Sequence, residues 1–186
     1  MKQYLLQSNR ILNNDIVHSF CHELFGSGNF DGCLKFDGIY LTINTSKIIP
    51  PVFKFVSKNR SFELAKVSEL DVYGNSGKVA SFSGLFSYSK KDSSSGKNSA
   101  LIGPNNLSNK TLCEYFCTEL IGILPKKDGI KINYIEPIYI KDTQIIHNIF
   151  SLQVEGDVVN LDKFEKAIKY GIGQKKSYGF GFINVL

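Results

Sequence analysis

Three histidines are the side chains of this sequence that titrate nearest neutral pH, and two of them, His18 and His22, stand four residues apart. On a helix that spacing puts both rings on one face, one turn apart. Such a pair suits proton transfer: one imidazole takes a proton from an attacking hydroxyl, and the other, or a nearby cation, protonates a leaving oxygen. The same spacing can hold a metal ion. No third ligand stands at a suitable interval, however, and Glu23 adjoins His22 instead of lying inside a His-Glu-x-x-His pattern. The expectation is a site with no metal and no cofactor. His147 stands alone at the start of a predicted strand and reads as a structural residue.

The second chemical feature is Gly171-Ile172-Gly173-Gln174-Lys175-Lys176-Ser177-Tyr178-Gly179-Phe180-Gly181, four glycines and two lysines within eleven residues. Glycine permits positive φ and close backbone approach, so successive N–H groups can face a phosphate. Gly171, Gly173, Gly179 and Gly181, together with Lys175, Lys176 and Ser177, are the candidate contacts to such an anion. Either lysine, Lys175 first, is a candidate for stabilising charge on a phosphate under attack. A dinucleotide fingerprint is excluded by order, because that loop follows a strand and opens a helix, whereas this one follows a predicted helix. The competing reading is a turn that brings the last helix tightly onto the last strand.

These residues need elements to carry them. The 186 residues suffice for one sizeable domain or two small ones, and 42% hydrophobic with 21% charged residues is an ordinary folded composition. A net charge of +5 favours a polyanionic partner. No run of about 18 apolar residues is present, and Met1–Gln7 is too short for a secretory segment, so the expectation is a cytoplasmic protein with no membrane partner. Cys21, Cys33, Cys113 and Cys117 form no CxxC pair and read as buried thiols.

Gln3–Gln7 can start a strand, and Asn13-Asn14-Asp15 offers N-caps for a helix carrying Ile16, Val17, Phe20, Leu24 and Phe25 that Gly26 and Gly28 end. Cys33–Phe36, Ile39–Ile43, Val52–Val56, Phe62–Val67 and Lys78–Tyr88 read as strands, with Asp37-Gly38 as a hairpin signal. The polar run Lys90–Lys97 marks a boundary, giving domains 1–96 and 97–186. Beyond it come a strand at Ser99–Ile102, then a helix from Ser108 with Leu112, Tyr115, Phe116, Leu120 and Ile123 at helical spacing, stopped by Pro125 and the Lys126–Gly129 turn. Strands Ile130–Ile140 and Ile145–Val154, a helix Leu161–Tyr170 and a strand Gly179–Leu186 complete a β-α-β-β-α-β order, that of the ferredoxin-like unit. The first half fits the same plan without an obvious second helix between Phe53 and Leu85. The fold class expected is α+β, two tandem ferredoxin-like domains.

Val154-Glu155-Gly156-Asp157-Val158, a helix, and then Gly-Ile-Gly-x-x-Lys-Ser-x-Gly-x-Gly-Phe resemble the C-terminal signature of the CRISPR-associated repeat-RNA endonucleases of the Cas six family, in the RAMP superfamily, most closely the CasE branch. The resemblance implies tandem ferredoxin-like domains and a metal-independent endoribonuclease. Such an enzyme binds the repeat stem-loop of precursor crRNA and cuts it by 2′-OH attack, leaving a 2′,3′-cyclic phosphate and a 5′-OH, to make mature crRNA for antiviral defence. It implies a catalytic histidine on the first helix with an aromatic seven residues later, matched here by His18 and Phe25. Asp15 stands one turn before His18, where some members carry a tyrosine. His22 or Lys175 is the candidate complement to His18. The partners implied are the repeat RNA and other Cas proteins of a crRNA-guided surveillance complex, with no direct contact to DNA. The alternative within the superfamily is a non-catalytic RAMP subunit that binds crRNA structurally.

Overall fold

A computed structural model describes residues 1–50, 53–57, 60–70, 79–87, 90–91, 98–99, 110, 113–140, 145–173 and 175–186. The first unit runs β1 (Lys2–Ser8), α1 (Asn14–Phe25), β2 (Gly32–Asp37), β3 (Tyr40–Thr45), β4 (Lys54–Ser57) and β5 (Arg60–Glu69). Its five strands are ordered β2-β3-β1-β5-β4, every neighbouring pair antiparallel. Without β4 this is the ferredoxin-like strand order. The second crossover, from β3 to β5, holds no helix among the described residues; β4 runs there instead, hairpinned on β5.

α1 begins where Asn13, in extended backbone, accepts from the Ile16 N–H through its side chain at 2.9 Å. It ends at Gly26, whose φ of 82° lets its N–H close on the His22 carbonyl. Val17, Phe20, Cys21 and Phe25 recur at helical spacing and are buried with Tyr4, Leu6, Leu34, Leu41, Ile43 and Phe62 of the sheet. His18 and His22 lie off that stripe, on the flank of the helix that faces the C-terminal part of the chain.

The second unit runs β6 (Val79–Ser87), a π-type helix (Cys113–Ile121), β9 (Ile123–Ile140), β10 (Ile145–Val158), α2 (Leu161–Tyr170) and β11 (Asn184–Val185). The sheet order β11-β6-β10-β9, all antiparallel, is that of a ferredoxin-like unit. The expected β-α-β-β-α-β order is present, but its first strand is β6 and not Ser99–Ile102. β6 pairs with nine residues of β10 and alternates buried Phe82, Gly84 and Phe86 against the helical layer, a long amphipathic strand fit for a sheet centre. Among the described residues Asn98 and Ser99 (β8) pair only with Lys91 and Lys90 (β7), and 100–102 lie outside them. The chain therefore changes sheets between 70 and 79, ahead of the expected 96/97 boundary, which lies outside the described residues.

Gly122, with φ 78°, ends the π-type helix, so Ile123 opens β9 instead of closing the helix. The Lys126–Gly129 turn is a bulge within β9: the register with β10 passes from Val154↔Ile130 to Gly156↔Pro125. Phe116, Cys117, Ile121, Phe164, Ala167 and Ile168 of the two helices cover one face of this sheet. The other face carries Ser83, Leu85, Asn133, Ser151 and Gln153 in cross-strand rows. The end of α2 docks on the first sheet, where Asn44 Nδ2 donates to the Ile168 carbonyl at 3.0 Å and the Cys33 thiol to the same oxygen at 3.5 Å. Among the described residues no helix is long and apolar enough to cross a membrane.

Candidate active site

The glycine-rich segment leaves α2 through a narrow neck. The Gly171 N–H closes the helix on Ala167 O at 2.9 Å, Ile172 N donates to Gly181 O at 2.8 Å, and Gly181 N donates to Leu85 O of β6 at 2.7 Å. A Cβ on Gly181 would stand 1.9 Å from Ile172 O, and one on Gly171 would stand 2.6 Å from the Cys33 Cβ. These two glycines are required by packing. Gly179, at φ 96°, lets the chain lie close to the Phe36 ring, from which a Cβ would stand 2.9 Å. Gly173, at φ 79°, is exposed, and among the described residues a Cβ there would meet only Ser87 O at 3.6 Å. Of the four candidate phosphate-facing glycines, Gly173 is the one with an open approach.

Beyond the neck, Lys175 takes a left-handed conformation, φ 65°, and turns the chain into a single 3-10 turn, Lys176–Tyr178. That turn is wedged between α1 and the open face of the second sheet. On the sheet side, Tyr178 and Phe180 are buried with Ile140 and Ile149. On the helix side, Asn14 Nδ2 donates to Tyr178 O at 2.6 Å, and the Tyr178 ring stacks on His18 with centroids 3.8 Å apart and planes within 15°. Ser177 Oγ lies 2.9 Å from His18 Nδ1. The His22 ring meets His18 edge-on at 4.1 Å. His18 is thus oriented by a stack, a hydroxyl and a second imidazole, two of the three supplied by the loop 159 residues away.

The cations gather at the same place. Lys175 Nζ stands 5.4 Å from the centre of the Tyr178 ring. Lys176 and Ser177 line a shallow cleft of about 220 Å³ together with His22, Gly26, Gly28 and Phe30. The structure therefore brings His18, His22, Lys176 and Ser177 together from two distant segments and sets Lys175 against the Tyr178 ring that stacks on His18. It assigns Gly171 and Gly181 to the neck that presents them. Among the described residues no three His, Cys, Asp or Glu side chains gather as a metal ion would need.

Two residues enter this neighbourhood whose place sequence reasoning did not foresee. Asn14 and Tyr178 fix the turn to α1, and their role has no local signal beyond Tyr178 lying inside the motif. His147 of β10 is buried, its Nε2 has no hydrogen-bond partner among the described residues, and burial, then the nearby Lys175 charge, hold its pKa below the usual histidine value.

No family model matches the chain, and no curated protein matches it at a significant level. Solved structures match it over its whole length. The CRISPR endoribonuclease Cse3 bound to a 19-nucleotide RNA superposes with a TM-score of 0.74 at 13% identity, covering 100% of this chain and 98% of that one. Thermus thermophilus Cse3 bound to an RNA representing a pre-cleavage complex gives 0.68 at 11% identity, with full coverage of both chains. The Cas6e protein of Escherichia coli K-12 gives 0.64 at 12% identity, covering 100% and 98%. The chain has the Cse3 and Cas6e fold. This is the α+β class expected, and within the Cse3-like fold the histidine pair of α1 and the glycine-rich loop meet where the C-terminal segment crosses the first helix.

Proposed function

We propose that the chain is a metal-independent endoribonuclease that binds the stem-loop of CRISPR repeat RNA and cuts it by attack of a ribose 2′-OH on the adjacent phosphate. The observation that carries this reading is His18 locked by Ser177 and Tyr178 of the lysine-bearing loop. A proton-transfer group then stands beside a lysine-bearing loop, and phosphodiester transfer draws on both a proton carrier and cations. Structures with this fold, the two Cse3 complexes, hold RNA.

In the reaction the 2′-oxygen loses its proton and bonds to phosphorus, the bond to the 5′-oxygen breaks, and that oxygen is protonated. The products are a 2′,3′-cyclic phosphate and a 5′-OH. With Nδ1 committed to Ser177, His18 exchanges its proton with the RNA at Nε2. A hydroxyl both donates and accepts, so Ser177 holds the ring in either protonation state. His22 or Lys175 is the complementary proton carrier. Lys175, Lys176 and the exposed Gly173 backbone face the phosphate oxygens as negative charge builds there. After cutting, the protein joins other Cas proteins of a surveillance complex with the product RNA.

The test is cleavage of the host's own repeat RNA in excess EDTA by the wild type and by His18→Ala, beside binding of an RNA with a 2′-deoxy scissile position. Cleavage by the wild type, with binding but no cleavage by His18→Ala, supports the reading. Binding with no cleavage by either protein identifies a structural RAMP subunit instead, and cleavage abolished by EDTA alone overturns metal independence.

A further inference from the structure

A cavity of about 580 Å³ lies where the first unit leans over the open face of the second sheet. Its volume falls in the range of about 300–1,000 Å³ typical of small-ligand sites. The floor is Ser83, Asn133, Ser151 and Gln153, side chains on one face of β6, β9 and β10 in cross-strand register. The walls are Lys35 and Phe36 of β2 and Phe180, Phe182 and Asn184 of the C-terminal segment. No carboxylate is among the described residues that line it. Lys35 donates to Asn184 Oδ1 and lies 5.2 Å from the centre of the Phe182 ring. Among the described residues no carboxylate stands within ion-pair distance of that ammonium. Burial lowers the Lys35 pKa, against a smaller opposing effect of Asp37.

This lining has a definite chemistry: a half-buried cation with no ion-paired carboxylate among the described residues, four side-chain amides, and aromatic rings. Amides read base edges, rings stack on bases, and a desolvated ammonium takes a phosphate. Asn14 and Gly179 line the cavity too, and Asn14 is the residue that fastens Tyr178 beneath His18. The cavity and the candidate cleavage site therefore share a wall, so the occupant belongs to the same RNA chain. We infer that this cavity binds an unpaired nucleotide of the RNA flanking the hairpin, with Lys35 on its phosphate and Asn133, Gln153 and Asn184 on its base. The inference rests on the ribonuclease reading and extends it from the paired stem to a single-stranded neighbour.

The experiment measures binding of two 2′-deoxy-blocked RNAs, the bare repeat hairpin and the same hairpin with its single-stranded flanks. Proteins compared are the wild type, Lys35→Gln and the double variant Asn133→Ala/Gln153→Ala, whose two sites are exposed on the sheet face and tolerate truncation. Wild type is expected to prefer the flanked RNA, and each variant to lose about tenfold on it, the worth of one charge-assisted or two neutral hydrogen bonds. The bare hairpin should bind all three proteins alike. Equal binding of both RNAs by the wild type, or equal loss on both RNAs in the variants, overturns the nucleotide site while leaving the ribonuclease reading intact. Full suppression of the flanked RNA's advantage by low concentrations of free nucleoside monophosphates assigns the cavity to a free nucleotide and likewise overturns it. Failure of the wild type to bind either RNA overturns both readings.

Discussion

Substituting Ser177 by alanine tests whether the loop acts on His18 or merely lies beside it. The hydroxyl is 2.9 Å from His18 Nδ1, while the Tyr178 stack at 3.8 Å and the His22 contact at 4.1 Å stay in place. The change thus deletes one neutral hydrogen bond and leaves the ring held on two sides. Such a bond is worth about 0.5–1.5 kcal/mol, and at 1.36 kcal/mol per factor of ten the single-turnover cleavage rate should fall about two- to thirteenfold. Removing the imidazole itself with His18→Ala should cost roughly 10²–10⁴, the range of general acid–base catalysis. Because Ser177 works through His18, the double variant should cut no more slowly than His18→Ala alone. The assay is single-turnover cleavage of end-labelled repeat RNA, with affinity for the 2′-deoxy RNA measured in parallel and expected to stay unchanged. A rate loss from Ser177→Ala that persists in the His18→Ala background refutes the positioning argument and makes Ser177 a direct phosphate contact.

The neck predicts a contrast between two glycines: Gly181→Ala, whose Cβ would stand 1.9 Å from Ile172 O at φ 78°, should destabilise the fold by about 2–4 kcal/mol. Gly173→Ala, with open space at φ 79°, should cost about 1 kcal/mol, and thermal melts of the two variants check the difference. His147→Leu removes a buried imidazole whose Nε2 is unpaired among the described residues and should raise stability by about 1 kcal/mol. Its pH dependence follows from a folded pKa depressed below 6.5: the wild type is at full stability above that value and loses it as pH falls through the lower folded pKa. The advantage of His147→Leu in the melting temperature should therefore widen on acidification; a constant difference across pH would sink the assignment. Burial pushes the Cys33 and Cys117 thiols up to about 12, so in the native protein both should resist alkylation at neutral pH and react once the chain is unfolded, as peptide mass spectrometry would show.

Local signals accounted for the elements that hold the site. Asn13 and Gly26 bracket α1 as their side-chain chemistry and φ freedom dictate, and Asn160 and Gly171 bracket α2 in the same way. The pairing of β6 was not legible, because a strand's partner is chosen by long-range packing: Phe82 and Phe86 serve the second core although they precede the most polar run of the chain. His147 read as structural from its sequence position, but the Lys175 charge that acts on it comes from a loop after the next helix and was not legible there.

Residue types and spacing by themselves determined that an imidazole pair would share a helix face and that a lysine-bearing, glycine-rich turn would follow the last helix. Both facts follow from backbone geometry within a few residues. Tertiary structure decided that the two meet, through Ser177 and Tyr178 on His18, and that Gly171 and Gly181 serve close packing while Gly173 is left open to a ligand. Glycine's freedom is visible in a sequence, but the atom that would collide with a missing Cβ belongs to a distant part of the chain, and only folding brings it there.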